Sequence, residues 1–438
     1  MARQGQLSLD AIRGTTTSPA AGRRDLRRAL LHLRDRHEGP CNLATTRILW
    51  KRMGIAGVSN DLNSVVRSLA VAIRDSFQLV LLPPSLAVRE RLRVDSGVHL
   101  SQDRPWHWLD ERMPLSSVLR PSSCQRLLQE QHAHVLDALG ANSSDARVNA
   151  ARLLGLGSSQ SRDHDQVNHL WYVELQLDGY YPVVPQRFRR HGMLWWFAAL
   201  TTYLIRVKGR LAQRLRSHPA MAPFVDAGAA HGSSDEHQGW TPSARFDVGI
   251  HVRQGDACGS DAQATAHPLR RCMRGASTAL HALAPVAAIP KGSIVFVASD
   301  SEAVIAQART LRGPPLLLQP HFLNLSRTKY SSGLPVERAL ARNDGVALEE
   351  ALMELLLLSR SRVVVAQMMG NMPRLALQMQ VRPPGTWPAY VSLDGNQWCT
   401  CSSCKETYWV TDRRTGLRKR EFRRGYVEGA TDVPRRWW

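Results

Sequence analysis

The sequence predicts an α/β protein with parallel sheets, and two observations lead to that fold class. Strand-like apolar runs alternate with segments of helical period, and the alternation occurs in two separate regions of the chain. Strands that alternate with helices form parallel sheets covered by helices on both faces. The chain has 438 residues, of which 43% are hydrophobic, so it can fill the cores of two or three domains.

Residues 1–40 are polar and arginine-rich, and the segment RRDLRRALLHLRDRH can form a basic helix. Such runs are most often solvated faces, so we expect 1–40 to be a peripheral, poorly ordered basic extension. The opening MARQGQLSLDAIRG also lacks the apolar core of a signal peptide. This sequence therefore shows no route into the secretory pathway, which indicates either a cytosolic protein or an incomplete gene model.

Residues 41–190 are predicted to form an N-terminal α/β domain. A strand-like RILW and a GIAG turn at 54–57 precede a helical pattern, and the strand-like QLVLLPP at 78–84 follows it. The apolar residues of the helical pattern are Leu62, Val65, Val66, Leu69, Ala72 and Ile73. This is a β-loop-α-β unit. The DHD triplet at 163–165 resembles a metal-binding Asp-x-Asp, but no strand-like run precedes it, which favours a solvated loop.

Residues 191–242 are predicted to connect the two domains. The run GMLWWFAALTTYLI at 192–205 is shorter than the roughly 20 residues of a spanning helix, so we predict a buried helix over 194–216 with a basic end. The Gly-, Ser- and His-rich stretch at 226–240 then predicts a linker or exposed loop.

Residues 243–390 are predicted to form the second α/β domain. Its strand candidates are 246–253, 293–299 and 362–366. The helical patterns that alternate with them are 268–283, 302–310 and 347–359. Ligands of parallel α/β sheets bind outside the carboxyl ends of the strands. Two of these ends carry charge, at Arg253 and at Asp300.

The first strand of this domain delivers Arg253, Asp256 and Asp261 into a loop that contains Gly255 and Gly259. A guanidinium recognises phosphate in a planar, bidentate manner, and glycines permit a close approach of the backbone. Arg253 is therefore a candidate phosphate ligand. An equally weighted alternative is that Arg253 pairs with Asp256 and only holds the loop together.

Two more carboxylates are candidates on their position alone. Asp300 follows the strand VFVAS, but Ser299 and Glu302 form a capping-box pattern that indicates a structural turn as readily as a ligand contact. Glu354 lies in the helical segment EALMELLLLS. If it faces the apolar side its carboxylate needs a partner, because burying an unpaired charge is costly, but the helical period leaves it equally free to face water.

Residues 391–438 are predicted to be a short basic appendage that contains cysteines. The odd number of seven cysteines leaves at least one thiol unpaired, and three of them are Cys399, Cys401 and Cys404. A tetrahedral zinc site needs a fourth ligand, and no histidine follows His321, so a local disulfide or free thiols are favoured over zinc.

Four separated segments resemble one enzyme family. The first reads Ile250-His251-Val252-Arg253-Gln254-Gly255-Asp256-Ala257, then Gly259-Ser260-Asp261-Ala262 and His267-Pro268. The others are LWWFAALTTYLIR at 194–206, VFVASD at 295–300 and ALMELLLLSRSRVVV at 351–365. In this order they resemble the α1,6-fucosyltransferases that modify the innermost GlcNAc of N-glycans, and more distantly the bacterial Nod-factor fucosyltransferases.

The resemblance implies a GT-B-like fold, with two Rossmann-type domains facing a cleft, and an inverting transfer of fucose from GDP-fucose that needs no metal and no cofactor. Asp261 is then the general base that takes the proton of the acceptor hydroxyl. Arg253 binds the β-phosphate of GDP. His251 lines the nucleotide site, and Glu354 accepts from N1 and N2 of guanine.

The resemblance also assigns the remaining site residues, some of which depart from the family pattern. Asp256 and Asp300 hold the loop and contact donor or acceptor. Gln254 stands where the family has a second arginine, and Ala257 where it has a lysine. Gly370 ends Met-Met-Gly where the family has Phe-Ser-Ser, so a hydroxyl is missing from the nucleotide site.

The expected partners are GDP-fucose and an N-glycan or glycoprotein acceptor, without nucleic acid, and the oligomeric state is left open. Family members work in the Golgi lumen on a single-span anchor that is not visible in this sequence. The alternatives are a protein O-fucosyltransferase-like enzyme, an inactive homologue, or a basic RNA-binding or scaffold protein. The last of these rests on the net charge of +20, which attracts anions of any kind.

Overall fold

The computed structural model contains two parallel sheets, an antiparallel pair of strands and helices packed between them. It describes residues 19–42, 45–52, 58–82, 118–131, 161–163, 183–225, 240–253, 292–310, 318–327, 346–368, 370–380, 389–393, 398, 407–411 and 418–422. The helices are α1 (Pro19–His37), α2 (Val58–Asp75), α3 (Ser123–Gln131), α4 (Gly192–Leu204), α5 (Gly209–Ser217), α6 (Glu302–Arg309), α7 (Val346–Leu358) and α8 (Asn371–Met379), with 3-10 helices at Gln186–His191 and Pro219–Phe224. The strands are β1 (Ile48–Arg52), β2 (Gln78–Leu82), β3 (Ser161–Asp163), β4 (Phe246–Val252), β5 (Ile294–Ser299), β6 (Gln319–His321), β7 (Ser361–Ala366), β8 (Ala389–Ser392), β9 (Thr407–Thr411) and β10 (Arg418–Phe422).

The N-terminal sheet is parallel, with the strand order β2-β1-β3. The predicted β-loop-α-β unit is confirmed as β1, α2 and β2. Every side chain of α2 from Asp61 to Ile73 is buried, because this helix lies between its own sheet and the helices α4 and α8. Asp163 is the last residue of β3, so the premise that no strand precedes the DHD triplet is wrong.

The C-terminal sheet has the order β6-β5-β4-β7-β8, and all its strands are parallel. The central strand β4 is covered on both faces. Val248, Ile250 and Val252 pack in a cluster with residues of α6, and on the other face Gly249 lies against Leu358, the last residue of α7. Parallel strands covered on both faces are typical of α/β proteins. The predicted α/β class is therefore confirmed.

The elements predicted for this second domain agree with the structure, but its predicted C-terminal boundary does not. The three strand candidates are β4, β5 and β7, and the helical patterns at 302–310 and 347–359 are α6 and α7. The helical pattern at 268–283 lies outside the described residues. β8 continues to Ser392 and pairs with β7, with Ala366 opposite Ser392, so a boundary at 390 would divide a strand of the sheet.

The helix predicted over 194–216 is two helices, α4 and α5, and the difference has a local cause. Ile205 is extended and forms a β-bridge with Leu119. The backbone N–H of Arg206 donates to the carbonyl of Val118 at 2.7 Å, so the chain has left the helical hydrogen-bonding pattern. Gly209, with φ of 54°, then starts α5, a backbone conformation that side chains other than glycine rarely adopt.

The N-terminal basic segment is a packed helix over residues 19–37, so the expectation of a poorly ordered extension is wrong there. Ala29, Leu33 and His37 of α1 are buried against the core that contains α4. His191, just before α4, lies 3.1 Å from a carboxylate oxygen of Asp25. The exposed residues of the same helix include the arginines Arg24, Arg27, Arg28, Arg34 and Arg36, which suggested a solvated run.

A disulfide and a polar cluster hold the end of α1 against α3 and α4. Cys41 and Cys124 form a disulfide across 83 residues of sequence, which the sequence analysis did not pair. The Tyr203 hydroxyl donates to Glu38 at 2.8 Å, and the Arg120 guanidinium lies 2.7 Å from the same carboxylate oxygen. Each buried polar group of this cluster thus has a partner from another element.

An amide network joins helices that follow the two different sheets. Asn63 of α2 donates to the backbone carbonyl of Asn371 in α8 at 2.9 Å, and Gln378 of α8 donates to Asn63 at 3.1 Å. Thr201 of α4 donates to the other end of the Gln378 amide at 3.0 Å. Because these groups are buried, breaking one bond leaves another unsatisfied, so the network fixes the contact between α2, α4 and α8.

Gly249, in the middle of β4, is required by the close approach of β7. A Cβ atom at this position would lie 2.8 Å from Ser361 Cβ and 2.8 Å from Leu358 Cδ1. We expect Gly249→Ala to lower the free energy of unfolding by about 1–3 kcal/mol through overpacking. Urea unfolding measures this loss. Adding Ser361→Ala should not restore wild-type stability, because the contact with Leu358 remains, and a neutral single variant would contradict the packing described.

Within the described residues, no helix is both long and apolar enough to cross a membrane.

Candidate functional site

The candidate site lies at the carboxyl edge of the C-terminal sheet, where the central strands end side by side. Val252 of β4 is in register with Ser299 of β5, so Arg253 and Asp300 each directly follow a paired residue. On the other side of β4, His251 is opposite Ala366, the last residue of β7. The backbone alone therefore brings three of the predicted site residues, His251, Arg253 and Asp300, to one edge.

His251 is a buried, neutral imidazole. Burial lowers its pKa to about 4, and the neighbouring Arg253 guanidinium lowers it further in the same direction. At neutral pH one ring nitrogen is therefore a donor and the other an acceptor. Such a ring can orient a polar ligand group without adding a charge to the site.

Arg253 is exposed at the end of β4, in contrast to the buried residues that precede it in the strand. A strand buried on both faces holds the backbone of its last residues rigidly, while the guanidinium beyond it remains accessible. The position suits the capture of an anion from solvent.

Glu354 faces the protein interior, and its carboxylate has a partner. Nη2 of Arg327 lies 3.2 Å from Oε1 of Glu354, and Arg327 is 3% exposed. The condition set by the sequence analysis, that an inward Glu354 needs a partner, is met by this ion pair. Arg327 was not identified from the sequence, because nothing local to Ser326-Arg327-Thr328 connects it with a helix 27 residues further on.

The ionisation of Glu354 is balanced by opposing effects. Burial raises its pKa to about 7, and the nearby carboxylate of Asp300 raises it in the same direction. The Arg327 guanidinium and a backbone hydrogen bond at Ser299 lower it. Asp300 and Glu354 are therefore close enough to interact through charge, and small changes around them alter the protonation of Glu354 near neutral pH.

The turn after β5 is not the capping box that the sequence suggested. The residue that caps α6 is Ser301, and its side chain makes no capping hydrogen bond. The Ser299 hydroxyl instead accepts from the backbone N–H of Ser301 at 3.1 Å, while the Ser299 carbonyl accepts from Arg327 at 2.6 Å. The local role predicted for this turn is thus taken by different atoms.

Gly370 is the N-cap residue of α8, directly after β7 and its short turn. A Cβ atom there would lie 3.2 Å from the Gln367 carbonyl oxygen and 3.2 Å from Pro373 Cδ, so a larger residue requires small shifts. Nε of Arg374 donates to the Gly370 carbonyl at 3.1 Å, which fixes the start of the helix. Backbone N–H groups at a helix start favour anions, and α8 starts at the same sheet edge as Arg253.

Gln254, Asp256 and Asp261 lie outside the described residues, as do Cys399, Cys401 and Cys404. The roles predicted for them remain predictions. In the described parts of the chain, histidine, cysteine, aspartate and glutamate side chains do not gather in a group of three that could hold a metal ion.

No protein-family model and no curated protein matches the sequence. Among solved structures, POFUT1 in complex with GDP is 10% identical, with 80% of this chain and 99% of that chain covered and a TM-score of 0.39. A substituted form of Arabidopsis thaliana FUT1 in complex with GDP is 11% identical, with 83% of this chain and 78% of that chain covered and a TM-score of 0.35. Both likenesses are distant and say nothing of the acceptor.

Proposed function

We propose that this chain is a glycosyltransferase that transfers fucose from GDP-fucose, with inversion, to the 6-hydroxyl of a GlcNAc in an N-glycan core or a similar acceptor. The observation that carries the proposal is the meeting of an accessible arginine and a paired buried carboxylate at one sheet edge. Arg253 follows the central strand, and Glu354 is held by Arg327 beside Asp300. Three of the four segments that resemble α1,6-fucosyltransferases contain Arg253, Asp300 and Glu354, one residue in each.

On the donor side, Arg253 neutralises the charge that develops on the β-phosphate as the bond from fucose C1 to the phosphate oxygen breaks. The side chain supplies the positive charge that a metal ion supplies in other transferases, so the reaction as proposed uses no metal. The start of α8 at Gly370 adds N–H groups near the same anion. Neutral His251 lines the nucleotide site, and ionised Glu354 accepts from N1 and N2 of guanine.

On the acceptor side, Asp261 is the general base. The acceptor oxygen O6 attacks fucose C1 from the face opposite the leaving GDP, and its proton passes to the Asp261 carboxylate as the new C1–O6 bond forms. GDP leaves with the electron pair of the broken bond. Asp256 orients the loop that carries Gln254 and Asp261, and Asp300 contacts donor or acceptor.

The disulfide supports an oxidising compartment for this activity. Disulfides persist in secreted and lumenal proteins and are rare in the cytosol, where thiols are kept reduced. The Cys41–Cys124 bridge therefore favours the Golgi lumen over the cytosol among the locations that the sequence left open.

The test is transfer itself, measured with labelled GDP-fucose and a panel of N-glycans and folded glycoprotein domains. We expect label on an N-glycan GlcNAc, and we expect Asp261→Asn to reduce turnover by about 10²- to 10⁴-fold while GDP still raises the melting temperature. Asparagine has nearly the same shape as aspartate but cannot accept the proton, so binding and turnover separate.

Each other outcome selects a different function. Transfer to a serine or threonine of a polypeptide would indicate a protein O-fucosyltransferase. GDP binding without transfer to any acceptor would indicate an inactive homologue. Binding of RNA that collapses steeply with added salt, together with indifference to GDP, would indicate a nucleic-acid-binding protein.

A further inference from the structure

We propose that Arg327 is a positioning residue of the donor site, and that it favours guanine over adenine by fixing the Glu354 carboxylate in place and favouring its ionised form. This inference rests on the proposed function, in which Glu354 contacts guanine. It adds a residue to the site that neither the sequence motifs nor the resemblance assigned.

The guanidinium of Arg327 makes four hydrogen bonds to three separate segments. Nε donates to the Ser299 carbonyl at 2.6 Å, at the end of β5. Nη1 and Nη2 donate to the carbonyls of Leu325 and Leu323 at 3.0 Å and 3.1 Å. Nη2 also reaches Oε1 of Glu354 in α7 at 3.2 Å. A planar guanidinium with this many fixed acceptors has one orientation available, so it fixes Glu354 relative to the end of β5.

This arrangement leaves one carboxylate oxygen without a bond to Arg327. The pair is asymmetric, because the hydrogen bond from Nη2 of Arg327 goes to Oε1 of Glu354, at 3.2 Å. The Glu354 side chain is 12% exposed, so part of it can be reached from outside. Each carboxylate oxygen has two acceptor positions, so the group can accept from Arg327 and from a ligand at once.

The chemistry of the two purine bases makes the ionisation of Glu354 decisive. Guanine offers two neighbouring donors, N1–H and the N2 amino group, whereas the N1 of adenine is an acceptor. An ionised carboxylate accepts from both guanine donors, and a protonated carboxyl can instead donate to adenine N1. Base selection therefore depends on which form of Glu354 the site maintains.

Two charged groups act on this carboxyl group from different elements. Arg327, from the segment after β6, favours the ionised form, and Asp300, from the turn after β5, favours the protonated form together with burial. Among the described residues, Arg327 is the cation that acts on this carboxyl group. Without it, burial and Asp300 favour the protonated form, because a buried carboxyl group neutralises rather than stays charged.

The experiment compares wild type with Arg327→Gln, Arg327→Lys and Glu354→Gln, by calorimetric titration with GDP and with ADP between pH 6 and pH 9. We expect wild-type affinity for GDP to rise with pH through about 7, as Glu354 ionises. Arg327→Gln should weaken GDP binding on the order of 10- to 100-fold at pH 7. Most of the affinity should return at pH 9, because Glu354 in this variant ionises only at higher pH. Its preference for GDP over ADP should fall by a similar factor at pH 7.

The other two variants separate positioning from structural support. Arg327→Lys keeps the charge, so it should keep a pH midpoint near that of wild type, even if its affinity falls. Glu354→Gln cannot ionise, so its weakened GDP affinity should not change with pH. Melting temperatures show whether each variant is folded at the pH used.

Three results would overturn the inference. One is an Arg327→Gln variant that binds GDP like wild type, and another is a variant that loses affinity equally at every pH, which indicates a structural role only. If Arg327→Gln does not fold, the folded Arg327→Lys variant takes its place. A GDP affinity of Arg327→Lys that does not change with pH, like that of Glu354→Gln, has the same meaning. Failure of wild type to bind GDP at any pH would instead reject the proposed function on which the inference rests.

Discussion

Arg253→Ala is expected to lower the rate of fucose transfer on the order of 10³-fold and to abolish the rise in melting temperature that GDP causes. Two cations of the family pattern are missing from the proposed donor site, since the family's second arginine and lysine are Gln254 and Ala257 in this sequence. The charge that develops on the leaving phosphate therefore depends more on Arg253. The variant should therefore lose both GDP binding and transfer, whereas Asp261→Asn should lose transfer alone.

A matched control is Arg362→Ala, on β7 of the same sheet. Arg362 is exposed near the amino end of its strand, away from the carboxyl edge, and its guanidinium lies 3.6 Å from Asp247 in an exposed ion pair. Such pairs contribute little to stability, so this variant removes one positive charge and leaves the site intact. Steady-state kinetics and thermal shifts with GDP measure both variants. A control as inactive as Arg253→Ala would mean that general surface charge, and not the strand end, attracts the nucleotide.

The elements that the sequence predicted are those whose apolar residues recur at a regular spacing within a short segment. The strand β4 has an apolar residue at every second position from Phe246 to Val252, and its exit into charge and glycine predicted the candidate site at this edge of the sheet. The helices α6 and α7 likewise follow from the spacing of their apolar residues. In each case the periodicity of a short window is sufficient, because burial of one face or both faces repeats at a fixed interval.

The parts that sequence did not predict depend on contacts between distant residues. The partner of Glu354 is Arg327, which reaches it only because both segments pack at the end of β5. The basic segment at 19–37 is not a free extension, because its apolar stripe at Ala29 and Leu33 packs against α4. Arginines dominate its composition, but in a helix they occupy one face and leave the other for the core.

The break between α4 and α5 illustrates the same limit within one helix prediction. Apolar and basic residues continue across 205–208 with an acceptable helical period, so a local pattern shows no interruption there. The bridge from Ile205 to Leu119 ends the helix instead, and Leu119 belongs to a segment more than eighty residues earlier. Competition from a backbone partner so distant in sequence outweighs helical propensity.

Removal of the disulfide should produce the largest loss of stability. We expect the double variant Cys41→Ala/Cys124→Ala to lose about 4 kcal/mol of unfolding free energy. The bridge spans 83 residues, which include β1, α2 and β2, so it limits the freedom of a long segment in the unfolded chain. The Cys124 side chain is also completely buried, and the bridge lies beside the cluster in which Glu38 binds Arg120 and Tyr203.

The single variants show whether the loss comes from the bond or from the side chains. Cys41 is only partly buried, so as an independent thiol its replacement by alanine would cost little. If the two residues are bonded, Cys41→Ala alone should already produce most of the loss, and adding Cys124→Ala should produce little more. Urea unfolding of the oxidised proteins measures all three variants. Additive effects, with a near-neutral Cys41→Ala, would contradict the bridge and remove the structural argument for an oxidising compartment.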